Sequence, residues 1–124
     1  MFSIKNTPEP LIDGVIVKMS GAATGTAGAE MQMKLTLVVA GHPRGVVIDV
    51  SELEIISSLN IGELVAFRKA IVAGPPDHHG GPYGKVVIAG ATPMFEKALT
   101  FTRLDAIFPL YPTVESAVEA LKAT

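Results

Sequence analysis

The chain contains no cysteine, which excludes disulfides, thiol nucleophiles and cysteine-ligated metals. It also lacks any long unbroken apolar run. Mean hydropathy is +0.42, yet Gly, Pro or a charge interrupts every apolar stretch well short of the ~20 residues that a membrane-spanning helix needs. The start of the chain has no basic segment followed by an apolar one, so no secretory signal is expected. Charge of one sign is scarce as well. Ten basic residues stand against twelve acidic ones, for a formal charge of −2, and no basic cluster is present to follow a phosphate backbone, which argues against nucleic acid as a partner. The expectation from these absences is a soluble cytoplasmic protein without membrane insertion.

What the chain does have is apolar content. At 124 residues with 48% hydrophobic residues, it has the length of one domain with one core, and a composition that argues against disorder. Residues 11–19 read as an early strand, and Gly21 to Gly28 as a small-residue loop. From Ala29 to Ala40, Met31, Met33, Leu35, Leu37, Val38 and Val39 fit either period. Length and the closing Gly41-His42-Pro43 decide for a helix. Val46 to Val50 reads as a fully buried strand, and Ile61, Leu64, Val65, Ile71 and Val72 recur at helical spacing over 58–73.

Gly74 to Gly84 is dense in Gly and Pro and reads as a flexible internal loop. A strand over 85–89 follows. Thr92-Pro93 then supplies an N-cap and a helix-compatible first position. Thr113 caps a last helix with Glu115 in its first turn and Val114, Ala117, Val118 and Leu121 on its apolar face. Strands alternating with helices predict an α/β fold, with the later strands parallel and joined by right-handed crossovers.

Few residues point to chemistry. His78-His79 beside Asp77 lacks the spaced partners of a zinc site, so a solvent-exposed loop is expected and no metal. The same segment has no Gly-Lys-Ser/Thr ending that opens a helix and so is not a phosphate loop. With His42 as the only other histidine, no Ser-His-acid arrangement can be assembled, and neither a catalytic residue nor a cofactor is assigned. Phe67, Phe95, Phe101 and Phe108 are expected in the core. Met31, Met33 and Met94 are expected as gap-fillers, although Met on a partly exposed helix can also serve an adaptable interface.

The remaining candidates are Ser57 and Ser58, two adjacent hydroxyls where the buried strand gives way to the helix. On spacing alone the simpler role is structural: a serine at the helix N-cap accepts from an orphan backbone N–H and contributes about 1 kcal/mol.

The segment from Gly45 to Leu64 resembles the signature region of the STAS family, whose founding members are bacterial anti-sigma factor antagonists. The family pattern is a hydrophobic strand ending in Asp, then Asp-Ser-Ser-Gly-Leu-Gly opening a helix. Aligned without gaps, Ser57 stands at the Asp, Ser58 at the phosphorylated Ser, Leu59 at the second Ser, Asn60 at the first Gly, and Ile61-Gly62 at Leu-Gly. Ser57 therefore brings no negative charge, and Asn60 brings a side chain where the family has none. Gly84 to Gly90, Met94 to Leu99, Thr102 to Pro109 and Val114 to Leu121 resemble the family's next strand, next helix, approach to a short last strand and closing helix.

The resemblance implies a single STAS-like domain over 1–124, with a mixed sheet of about four to five strands and helices packed on it. It further implies a non-enzymatic anti-sigma factor antagonist in bacterial signalling. Such a chain binds an anti-sigma factor or serine kinase and is phosphorylated at Ser58, with Ser57 as the alternate acceptor. Ser57, Ser58, Asn60, Ile61 and Gly62 would shape the docking surface, on a monomer or weak homodimer. The alternative is a STAS scaffold or small-ligand-binding module in a transport or stress-signalling complex, without a phospho-switch.

Overall fold

A computed structural model describes residues 1–25 and 27–122. Five strands, β1 (Ser3–Glu9), β2 (Gly14–Ala23), β3 (Gly45–Ile56), β4 (Lys85–Ala89) and β5 (Leu110–Tyr111), form one sheet in sequence order. β1 is antiparallel to β2, and the other three pairings are parallel. The helices are α1 (Ala27–Ala40), α2 (Ser58–Ala73), α3 (Pro93–Phe101) and α4 (Val114–Lys122). The sheet is therefore mixed, as expected, within a single α/β domain.

The alternation of β3 explains why its early residues, Val46 to Ile48, are consecutively apolar. Val46, Ile48 and Val50 turn to a core shared with Met31 and Leu35 of α1, Leu64 and Phe67 of α2, and Phe95 and Leu99 of α3. Val47 turns the other way, to a smaller core with Val87, Ala89, Ala117 and Val118. Three helices thus cover one face of the sheet and α4 covers the other, so both sides of the strand must be hydrophobic.

β3 outruns the expected strand. Its pairing with β4 ends at Asp49, but it continues beside β2 to Ile56 across two register shifts. This extension carries Ser57 and Ser58 to the carboxyl ends of the parallel strands, where open α/β sheets place their sites. Asp49 is held at the point of departure by Ser51, whose backbone N–H and hydroxyl both donate to its Oδ1, at 3.0 and 2.8 Å.

At the amino-terminal end, Leu11 to Asp13 do not belong to the second strand. Pro10–Ile12 form a 3₁₀ turn closed by Asp13 in the left-handed region, and β2 begins at Gly14. No element was expected over Ser3–Glu9, because an edge strand that buries Ile4 but carries Pro8 and exposed polar residues shows little hydrophobic pattern. The expected loop from Gly21 to Gly28 is mostly structured: Gly21 to Ala23 finish β2, and α1 starts at Ala27. Thr24 and Gly25 lie between, and Thr26 lies outside the described residues.

α1, α2, β4, α3 and α4 occur where periodicity and capping place them. Thr92 accepts from the Phe95 backbone N–H at 3.2 Å, and Thr113 from that of Ser116 at 3.0 Å. The segment between α2 and β4 contains no helix or strand. It is tied down by Tyr83, whose N–H donates to the Val72 carbonyl at 2.7 Å, and whose ring lies 3.8 Å from the Arg44 guanidinium. Within it His78 lies edge-on to Tyr83 and bonds the Gly81 carbonyl at 2.9 Å, while His79 is exposed. Among the described residues, no group of three or more His, Asp or Glu could hold a metal ion.

Candidate functional site at the start of the second helix

Ser57 is the N-cap of α2 and Ser58 its first helical residue. The Ser57 backbone N–H donates to the Ala23 carbonyl at 3.0 Å, which fastens the junction to the end of β2. Its extended φ of −78° and ψ of 159° turn the chain into the helix. Its hydroxyl oxygen accepts from the Asn60 backbone N–H at 3.2 Å and donates to Asn60 Oδ1 at 3.0 Å. The one proton of this hydroxyl and one of its lone pairs are thus committed to a single neighbour.

Ser58 has the opposite surroundings. It is exposed, and its hydroxyl makes no hydrogen bond with another described residue. No acidic side chain occupies the first turn of α2, so the positive end of the helix is unopposed from within. The structure therefore separates two serines that sequence treats alike: one closes the helix, and the other presents a free hydroxyl beside it.

The other residues of this segment divide by depth. Gly62 is exposed, whereas Asn60 and Ile61 are buried, at 1% and 4% relative exposure, so these two shape the surface from beneath. Leu59 is 74% exposed. An aliphatic residue off the Ile61/Leu64/Ile71 stripe was the signal in the sequence that could have marked it.

Ser58 opens on a groove of about 680 Å³ between the start of α2 and α3. Its walls are chiefly apolar, with Ile55, Ile56 and Ile61 on one side and Met94, Ala98 and Phe101 on the other, and Lys97 supplies a cation. Phe101 corrects the sequence reading. It was expected in the core and is 89% exposed. Phe95 and Leu99 point α3 into the core, and a residue two positions beyond Leu99 emerges on the far side of a helix with 3.6 residues per turn. Met33 is corrected for the same reason, since it follows buried Met31 by two positions in α1 and faces outward.

Beneath the junction α1 and α2 press together. A Cβ on Gly28 would lie 3.1 Å from Glu63 Oε1 and 3.7 Å from Asn60 Oδ1. Burial raises the Glu63 carboxyl above its ordinary pKa. Asn60 Nδ2 is buried with no hydrogen-bond partner among the described residues, a cost that a glycine at this position would not carry.

The family model of the STAS domain matches residues 4–117. This chain belongs to the STAS domain family. Three solved structures are similar along nearly their full length. An anti-sigma factor antagonist from Mycobacterium paratuberculosis has a TM-score of 0.81 at 24% identity, covering 98% of this chain and 95% of that one. An anti-sigma-factor antagonist (STAS) domain protein from Planctomyces limnophilus has a TM-score of 0.73 at 21% identity, covering 95% and 96%. The Bacillus cell fate determinant SpoIIAA in its phosphorylated form has a TM-score of 0.67 at 15% identity, covering 98% and 99%. At these identities the shared property is the STAS fold. No curated protein sequence matches the chain.

Proposed function

We propose that this STAS domain is an anti-sigma factor antagonist that docks a cytoplasmic anti-sigma factor through the start of α2 and is switched by phosphorylation of Ser58. Its partner is an anti-sigma factor with serine kinase activity. The chain acts as ligand and phosphoryl acceptor rather than as an enzyme, on a monomer or weak homodimer. Docking of the unmodified form removes the anti-sigma factor and frees its sigma factor for transcription.

The observation that carries this reading is the pairing of a free, exposed Ser58 hydroxyl with an apolar groove, while the Ser57 hydroxyl is engaged by Asn60. The similarity to structures described as anti-sigma factor antagonists supports the same role. A phosphoryl group at Ser58 would bring about −1.5 to −2 charges to a positive helix end, which the fold accommodates. The partner bears the consequence, because apolar or acidic groups docked in the groove would face a dianion at its rim.

The test is the intact mass of the protein isolated from its own cells during growth and under stress, with any added phosphoryl group mapped to its residue. Modification at Ser58 that changes with condition is the expected result. A mass that never changes, or a phosphoryl group confined to Ser57, would overturn the Ser58 switch and leave that hydroxyl without a regulatory role.

A further inference from the structure

At the opposite pole, where β2, β3 and β4 begin, lies a second concavity of about 450 Å³. Three cations line it, Arg44, Lys85 and Lys122, against one carboxylate, Asp13. Lys122 is already paired with Glu119 at 3.2 Å. Arg44 and Lys85 form no ion pair with a described residue. In a chain of net charge −2, two cations without an ion-pair partner among the described residues line this one cleft.

Arg44 is also held in place. Its guanidinium sits 3.8 Å from the centroid of the Tyr83 ring, and its Nη1 donates to the Tyr83 carbonyl at 3.2 Å. Its backbone N–H donates to the Asp13 carbonyl, and its carbonyl accepts from Lys85, both at 2.9 Å. One bond to Tyr83 leaves most of the five donors of the fork unused, and a planar fork fixed in advance loses little entropy when it meets a phosphate or carboxylate. Leu11, Ile12 and Tyr83 line the same cleft.

We infer that this cleft binds a small organic phosphate, with Arg44 and Lys85 on the phosphoryl group and Leu11, Ile12 and Tyr83 against its apolar body. A compact ligand fits better than a macromolecule because the cations converge on one concavity of ligand-pocket size instead of lying along a stripe. β3 runs from Gly45 in this cleft to Ile56 beside Ser58, on the order of 30 Å at strand rise. The two sites can therefore be occupied together, and the proposed ligand does not compete with the docking surface.

The experiment is an amide-resolved NMR titration of the full chain at physiological salt with phenyl phosphate, inorganic phosphate and a short oligoglutamate peptide. Phenyl phosphate should give saturable shifts centred on Asp13, Arg44, Gly45, Tyr83 and Lys85, and should bind more tightly than inorganic phosphate. Lys85→Gln, which breaks no hydrogen bond or ion pair between described residues, should weaken binding about tenfold, the loss of one charge-assisted hydrogen bond. Arg44→Gln should weaken it at least as much, and Lys69→Gln, on exposed α2 surface, should leave it unchanged. Shifts spread over all basic residues, indifference to both cleft variants, or binding of the oligoglutamate peptide alone would overturn the site. Equal affinity for phenyl and inorganic phosphate would overturn the organic nature of its ligand.

Discussion

Ser57 and Asn60 satisfy each other reciprocally: the Asn60 backbone N–H donates to the Ser57 hydroxyl, and that hydroxyl donates back to the Asn60 side-chain oxygen. The pair forms a neutral hydrogen-bonded clasp at the start of α2. It accounts for the helix cap without any charge and leaves the neighbouring serine free.

Ser57→Ala removes both bonds and should cost about 1 kcal/mol, the typical worth of a serine N-cap. Ser58→Ala loses no bond to a described residue and should stay within about 0.5 kcal/mol of the parent protein, as exposed substitutions do. Urea unfolding midpoints of the two variants measure the ranking. A costlier Ser58→Ala would place the cap one residue later than the structure does.

Ser58→Glu should separate binding from folding. A carboxylate in the first helical turn favours the helix by about 0.3–1 kcal/mol, so the melting temperature should hold or rise slightly. Association with the proposed anti-sigma partner should weaken, because the added charge sits at the rim of an apolar groove. Calorimetric titration alongside thermal melting reads both quantities. Unchanged affinity would remove Ser58 from the docking surface.

The central strands and helices were legible because their physics is local. The β3 run, the α2 and α4 stripes, and the Thr92-Pro93 start of α3 each carry a period or a cap that survives without tertiary context. β1 was not legible, since its place depends on pairing with β2 at the sheet edge. The candidate site was legible as a junction and not as a surface. Which serine caps, which is free, and that Asn60 is buried while Leu59 is exposed depend on how the junction sits against Ala23 and α1. The groove itself joins residues from β3, α2 and α3, a juxtaposition no window of the sequence contains.

Phe95 and Phe101 make the same point testable within one helix. Phe95 is fully buried and Phe101 almost fully exposed. Phe95→Ala should cost about 3–5 kcal/mol, the range for truncating a core aromatic. Phe101→Ser should move stability by no more than about 0.5 kcal/mol while weakening partner association by removing a large apolar wall of the groove. Denaturation and binding measured on both variants decide it. A Phe101→Ser protein that binds normally would confine docking to the α2 side.

Glu63 offers a pH signature for the contact between α1 and α2. Burial raises its carboxyl pKa in the folded protein, and the wall it shares with Leu35, Val39 and Phe67 is largely apolar. In the unfolded chain the same group ionises at its ordinary value. Below that value both states carry the proton and burial exacts no ionic penalty. As pH rises through the unfolded value towards the raised folded one, the folded state holds its proton longer and loses stability relative to the unfolded state. Above the folded value the loss is complete and constant. Glu63→Gln removes the charge while keeping the shape, so it should melt higher than the parent protein at pH 7. That advantage should shrink as pH is lowered from the raised folded value towards the ordinary one, and be gone below it. Thermal melts of both proteins across this range supply the test. A difference that stays constant with pH would trace to packing rather than to the partly buried carboxyl.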